Sequence, residues 1–317
     1  MQRRDMLALL LGAGFSKWAA GLPLGSELFD FALEPSGTRE QHRLHRVREL
    51  KRNWDALNPD GLAEQFIASV LCCDDARSKE DVLWYVVRRL SEPYIWQEWH
   101  AGRMRRHVLM IDEHRKWDRP GVRAAADFIT HCGNQLSGIV TLNYDLLVEY
   151  ALGSRGFNYG RTGEILQGRG PYPVSQWRNP VALSGGLPLA KLHGSISWDA
   201  NGKYTDGRRG LSGKALIVAP TPEKRPPTEL KYAWNLSGKI LRHALRILVF
   251  GFAFNEYDEA VLTHLRDAGK DLVEATIVDV RSREDAVRHL WPRAGIRSFQ
   301  PTPEGQNALR AWLRAPK

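Results

Sequence analysis

The chain has 317 residues, 43% hydrophobic and 26% charged, and its 45 Lys and Arg against 36 Asp and Glu leave a net charge of +9. That length supports one large domain or two small ones with a sizeable core, and the composition excludes a disordered or fibrous chain. No apolar run approaches the roughly 20 residues a transmembrane helix needs, so no membrane span is expected.

In chain order, the first element is the apolar run Met6 to Leu11, followed by Gly12-Ala13-Gly14-Phe15-Ser16. The run is too short for a signal-peptide core and leads into a glycine turn, so the chain reads as cytoplasmic. A buried strand passing through Gly-Ala-Gly into a helix leaves the helix's first amides free. With the positive end of the helix dipole, these make an anion site, and a phosphate is the default ligand. The dehydrogenase version of this turn wants a third glycine where Lys17 stands, which disfavours that class. Gly21-Leu22-Pro23 reads as a loop, and Gly25 to Leu33 as a helix capped by Ser26.

Residues 35–135 read as an all-α insertion, opened by Glu34-Pro35-Ser36-Gly37-Thr38. Phe66, Ile67, Val70 and Leu71, then Val82, Leu83, Val86, Val87 and Leu90, recur at helical spacing. Much of the basic excess falls here, including Arg43, Arg46, Arg48, Lys51, Arg52, Arg103, Arg105, Arg106, Arg115, Lys116 and Arg119. On amphipathic helices such residues form a solvated face; the other reading is a docking surface for an acidic partner, with direct nucleic-acid contact less favoured. Trp54, Trp96, Trp99 and Trp117 read as core or subunit-contact residues. The three cysteines, Cys72, Cys73 and Cys132, fit a reducing compartment and cannot build a four-cysteine zinc site, so no metal is expected.

The α/β pattern resumes at Gly138 to Asp145, a buried strand edged by Thr141, Asn143 and Asp145, with a helix from Leu146 to Leu152 for which Asp145 is a cap. Residues 153–188 read as a long loop of the kind used for lids or contacts. Leu189 to Ser195 ends in His193-Gly194, and Ile196 to Thr205 reads as a hairpin turning at Asn201-Gly202. Strand Leu216 to Val218, helix Glu229 to His243, strand Arg246 to Gly251, helix Asp258 to Ala268 and strand Ala275 to Val280 follow. Helix Glu284 to Leu290, edge strand Ile296 to Phe299 and helix Glu304 to Leu313 close the chain. The alternation predicts an α/β fold, a Rossmann-like doubly wound parallel sheet built from residues 1–34 and 136–317, with ligands beyond the strands' carboxyl ends.

The polar residues at those ends are Ser16, Thr141, Asn143, Asp145, His193 and Asp279, together with Gly12, Gly14 and Gly251. They hold no obvious nucleophile and no second carboxylate beside Asp145, which suits a dinucleotide whose own bond is labile. An Asn in an apolar run needs partners that side-chain packing cannot supply.

This set resembles the sirtuins. Gly12-Ala13-Gly14-Phe15-Ser16, Gly21-Leu22-Pro23, Thr141-Leu142-Asn143-Tyr144-Asp145 and His193-Gly194 stand in the family's order. Lys191-Leu192-His193-Gly194-Ser195, the loop with Pro220, Thr221 and Lys224, and the segment Gly251 to Asp258 are more similar to the bacterial sirtuin-like family of antiphage defence. Two departures matter. Leu24-Gly25-Ser26 stands where deacylases have Asp-Phe-Arg, and the zinc module is absent from the sequence. The resemblance therefore implies an NAD hydrolase, with NAD as substrate, water as acceptor and no zinc, acting as the effector of an abortive defence system.

Under that resemblance, Asn143 and His193 are the catalytic residues. Asn143 would orient the nicotinamide ribose and the attacking water, and His193 would bind a ribose hydroxyl or act as base. Gly12, Ala13, Gly14, Ser16, Pro23, Thr141, Asp145, Gly251, Phe252 and Asp279 are expected to bind the dinucleotide, Asp145 at the carboxamide and Asp279 at the adenosine ribose. Simpler readings stand beside these: Ser16 and Asp145 as helix caps, Lys224 as a solvated lysine. Gating is expected from homo-oligomerisation or from a partner such as a DNA-translocase-type ATPase, an Argonaute-like protein or a phage protein. The alternatives are a non-catalytic NAD or ADP-ribose sensor, a protein deacylase, and a nucleic-acid-binding subunit.

Overall fold

The computed structural model describes residues 6–91, 95–100, 103–108, 120–153, 156–160, 186–198, 215–218 and 228–314. The chain opens with strand β1 (Leu7–Leu11) and helix α1 (Ala13–Ala20), then a single 3-10 turn at Gly25–Glu27. Helices α2 (Thr38–Leu57), α3 (Ala63–Cys72) and α4 (Ala76–Ser91) follow, with the antiparallel pair β2 (Ile95–His100) and β3 (Arg103–Val108) after them. Helix α5 (Pro120–Cys132) leads into strand β4 (Leu136–Thr141), α6 (Leu147–Leu152), β5 (Phe157–Asn158) and β6 (Leu187–Lys191). A small antiparallel pair, β7 (Gly194–Ser195) with β8 (Leu216–Ile217), precedes α7 (Lys231–His243). The end of the chain alternates β9 (Arg246–Phe250), α8 (Glu259–Ala268), β10 (Glu274–Val278), α9 (Glu284–Leu290), β11 (Gly295–Phe299) and α10 (Pro303–Arg314).

Seven strands form one parallel sheet in the order β11-β10-β9-β1-β4-β6-β5. This is the Rossmann-like doubly wound arrangement, with helices on both faces. The chain leaves β1 toward β4 and later returns to its other side at β9, so the switch of direction lies at β1, where such sheets open a crevice at the strands' carboxyl ends. All five residues of β1 are fully buried, as a central strand covered on both faces requires. Beneath it, Phe15 and Trp18 of α1 pack on Phe250, with ring centroids 5.3 and 5.1 Å apart, and Phe128 of α5 completes the cluster. Helix α5 packs against α1 and α6, while α7 covers β4 and β6 and meets α8. Among the described residues no helix is long and apolar enough to cross a membrane.

Helices α2, α3 and α4 join one another and the loop after α1. Phe29 meets Phe66 and stacks on Tyr85 at 5.0 and 5.2 Å, and the Tyr85 hydroxyl donates to the Leu28 carbonyl at 3.0 Å. Much of the basic charge of α2 is compensated locally. Arg43 and Arg46 both reach the buried Asp81, Lys51 pairs with Asp55, and Arg52 lies 3.9 Å from Glu49.

Three expectations change. The helix over residues 25–33 is only the 3-10 turn: Phe31 takes a positive φ of 55°, which a continuing helix does not allow, and Glu27 turns back to accept from the Leu24 amide at 3.0 Å. Among the described residues of 35–135, the all-α expectation fails at Ile95–His100 and Arg103–Val108, which pair as antiparallel strands. Strand β4 stops at Thr141, so Asn143 and Asp145 stand beyond its end instead of within it. Of the expected hairpin, Asn201, Gly202, Lys203 and Thr205 lie outside the described residues, as do Pro220, Thr221, Lys224, Arg115, Lys116, Trp117 and Arg119, most of the 153–188 loop, and the side chains of Trp96, Trp99, Arg103, Arg105 and Arg106.

Candidate active site

A cavity of about 510 Å³ opens beyond the carboxyl ends of β1, β4, β6, β9 and β10, within the usual range of about 300–1,000 Å³ for small-molecule sites. Eleven of the twelve residues singled out in the sequence line it: Gly12, Ala13, Gly14, Ser16, Pro23, Asn143, Asp145, His193, Gly251, Phe252 and Asp279. The twelfth, Thr141, lies beneath the floor. Its hydroxyl donates to the Leu11 carbonyl at 2.8 Å and accepts from the Asn143 amide at 3.1 Å, so it positions Asn143 without facing the cavity.

The glycine turn is narrower in its offering than expected. Gly12 donates to the Phe250 carbonyl, Gly14 to that of Gly251 and Phe15 to that of Gly12, each at 3.0 Å. Three amides are thereby committed, and the Ala13 amide is the turn's remaining donor among the described residues. The glycines are required by the approach of two backbones: a Cβ on Gly12 would lie 2.4 Å from the Gly251 carbonyl oxygen, and one on Gly14 would lie 2.6 Å from the Gly251 Cα. Gly251 itself has φ +60°. Its glycine thus serves both the left-handed backbone and the close packing.

At the end of β4 a relay of side chains ties the floor together. Asn143 Nδ2 donates to the Gly12 carbonyl and to Ser16 Oγ, each at 2.9 Å, and Ser16 Oγ donates to Asp145 Oδ2 at 2.8 Å. Among the described residues no group donates to Asn143 Oδ1. Asp145 Oδ1 accepts from the Leu147 amide at 2.9 Å, so this residue holds the first amide of α6, whose N-cap is Leu146, while it holds Ser16. Each Asp145 oxygen thus holds one protein donor, and through Ser16 the carboxylate also acts on Asn143. Below it, the buried Lys191 ammonium donates to Glu149 Oε1 at 2.9 Å and to the Asp145 carbonyl; Glu149 Oε1 also accepts from the Tyr159 hydroxyl at 2.7 Å.

His193 sits in the turn between β6 and β7. Gly194, at φ +85°, makes that turn, and any Cβ there would meet the Leu216 carbonyl at 2.1 Å. The imidazole is 6% exposed, and its Nε2 lies 3.1 Å from Asp258 Oδ1, itself buried. Asp258 arrives on the segment Gly251 to Asp258, in which Phe252 and Phe254 pack edge to face at 4.6 Å. Asp279, just past β10, accepts from the Arg281 amide at 2.9 Å and faces Arg283 Nε at 3.8 Å.

Two functional candidates escaped the sequence reading. Asp258 carried a signal, since it closes a segment already noted, but its partner was not foreseen. Glu64 carried none. It lies in the first turn of α3 and reaches the cavity with Leu62, Ile67 and Leu90, so the helices after the first βα unit build one wall. Burial pushes its carboxyl above the ordinary carboxylate range, and the charge of Asp258 adds to this while His193 opposes it. Burial likewise raises the Tyr144 phenol, with further contributions from Glu64 and Asp258.

No family model matches the chain, and no curated protein matches it. The chain is similar to solved structures of Sir2 homologues. A mutant Sir2 homologue in complex with ADP ribose is 14% identical with a TM-score of 0.41, over 98% of this chain and 92% of that one. A Sir2 homolog–NAD complex is 12% identical with a TM-score of 0.40, over 98% and 89%. A mutant in complex with 2'-O-acetyl ADP ribose is 15% identical with a TM-score of 0.37, over 98% and 92%. What the cavity can do is read from its own residues.

Proposed function

We propose that this cavity cleaves the nicotinamide–ribose bond of NAD, giving nicotinamide and ADP-ribose. The observation that carries the reading is the convergence of Asn143, His193 and the Gly12-Ala13-Gly14 turn, distant in the chain, on one cavity at the switch point of the sheet. The sequence resemblance to sirtuin-like hydrolases points the same way.

Nicotinamide departs as a neutral base, so the reaction needs no acid to protonate it. It needs a held pyrophosphate, a dry cavity and stabilisation of the positive charge that develops on the ribose. The turn at the positive end of α1, with the Ala13 amide, is assigned to the pyrophosphate. Asn143 Oδ1 is assigned to the nicotinamide ribose, where a fixed acceptor dipole favours the developing charge. His193, oriented by Asp258, is assigned to a ribose hydroxyl, and Asp279 to the adenosine ribose. Pro23, Gly251 and Phe252 shape the walls.

An unchecked NAD hydrolase would empty the cell that makes it, so the proposal includes gating by self-assembly or by a protein partner, in an effector role in antiphage defence. Incubation of the purified chain with NAD, alone and with a neighbour-encoded partner, tests it. Nicotinamide release that disappears in both Asn143→Ala and His193→Ala is expected. Binding of NAD without turnover under every condition would make the chain a sensor, and release that depends on an acyl-lysine peptide would make it a deacylase.

A further inference from the structure

We infer that Glu64, delivered by α3, is the group that holds and deprotonates the attacking water, which makes water the acceptor at this site. The inference rests on the NAD-hydrolase reading and adds to it the residue that handles the proton. The step is balanced as NAD plus water giving ADP-ribose, nicotinamide and a proton. The water oxygen bonds to the ribose carbon as the carbon–nitrogen bond breaks, and that bond's electron pair neutralises the pyridinium nitrogen. The water's proton passes to the Glu64 carboxylate and then to solvent.

Elimination among the cavity's polar groups leads to Glu64. Both oxygens of Asp145 hold protein donors. Asp279 is engaged by the Arg281 amide and faced by Arg283. Asp258 Oδ1 lies 3.1 Å from His193 Nε2, within ion-pair distance though without a hydrogen bond, so Asp258 is placed against the imidazole. The Asn143 amide hydrogens go to Gly12 and Ser16. Glu64 shares the cavity wall with Asp258, His193 and Tyr144, and its carboxyl accepts a hydrogen bond from its own backbone. Among the described residues no side chain donates to it. The carboxyl lies against Gly25, where a Cβ would stand 2.4 Å from Glu64 Oε1, so the absent side chain of Gly25 leaves it room in the wall. A carboxylate without a side-chain donor, facing the same cavity as His193, has lone pairs available for a water. Its desolvation raises its basicity toward the operating range of a general base.

The test measures nicotinamide release by wild type, Glu64→Gln, Glu64→Ala and His193→Ala under the condition that activates the wild type, with NAD affinity measured by calorimetry. Glu64→Gln is expected to lower kcat by about 10²- to 10⁴-fold while NAD affinity stays within about threefold. Its rate should lose the rise with pH that deprotonation of the carboxylate gives the wild type. Added formate should restore part of the rate to Glu64→Ala, which a purely structural role would not allow. Melting curves identify a misfolded variant, and Glu64→Asp, which keeps the charge, then decides by retaining partial turnover. An active wild type with Glu64→Gln at an equal kcat overturns this inference and leaves the hydrolase reading intact. A wild type that releases no nicotinamide under any condition overturns both.

Discussion

His193 Nε2 and Asp258 Oδ1 lie 3.1 Å apart, both residues buried, and the contact joins the turn after β6 to the segment after β9. The approach falls short of a hydrogen bond, but a buried carboxylate this close biases which ring nitrogen carries the proton. Asp258→Asn keeps the shape and removes the charge. The expected result is a fall in kcat of about 10²-fold or more with NAD affinity nearly unchanged, read from steady-state nicotinamide release beside calorimetric binding.

The Lys191–Glu149 pair is fully buried, and it also fixes the Asp145 carbonyl. Lys191→Met strands a buried carboxylate and should cost about 3–5 kcal/mol in urea unfolding. The double variant Lys191→Met, Glu149→Leu should recover much of that loss, because it removes the orphaned charge with its partner. A double variant as unstable as the single one would show that the pair's worth lies elsewhere.

Gly251→Ala places a methyl group 2.4 Å from the Gly14 Cα at a backbone φ of +60°. Neither neighbour can yield, since both are main chain. Strain and overpacking together should lower stability by about 2–4 kcal/mol, and the displaced turn should lose NAD binding even where the protein remains folded. Calorimetry on the folded variant checks the second point.

Glu64 has a carboxyl whose folded-state pKa lies above its ordinary value. The native state therefore holds its proton more tightly than the unfolded chain does. Stability from this group is present in full below the ordinary carboxylate pKa and is lost as pH rises through the raised one. Glu64→Gln removes that loss. The variant should melt higher than wild type near neutral pH, and the difference should shrink as the pH is lowered toward about 4. A constant difference across that span would mean that the carboxyl is not desolvated.

The elements with a strong period were legible in the sequence. The apolar run before Gly12, the strands that lead toward Asn143, His193 and Asp279, and the late strand–helix alternation are local signals, and the parallel sheet follows from them. Local signals failed where a distant contact decides. The helix expected at Gly25 to Leu33 has acceptable residues, but Phe29 is drawn onto Phe66 and Tyr85, and Phe31 takes a left-handed backbone. The free amides expected at the glycine turn are bound by Phe250, Gly251 and Gly12, two of them more than 200 positions away. Asp145 was read as either cap or site residue, and its two oxygens let it hold the first amide of α6 and Ser16 at once, though the N-cap is Leu146. Glu64 was invisible because a first-turn glutamate is ordinary in any helix, and only the docking of α3 against α4 and the turn at Gly25–Glu27 brings it to the cavity.

The cavity has two builders: the sheet brings the imidazole, the amide and the glycines, while α3 brings the opposing carboxylate. Trp54 of α2 rests on Phe66 of α3 at 5.7 Å, and α4 packs against both helices. Helices α2 and α4 are thereby linked, through α3, to a carboxyl in the cavity wall.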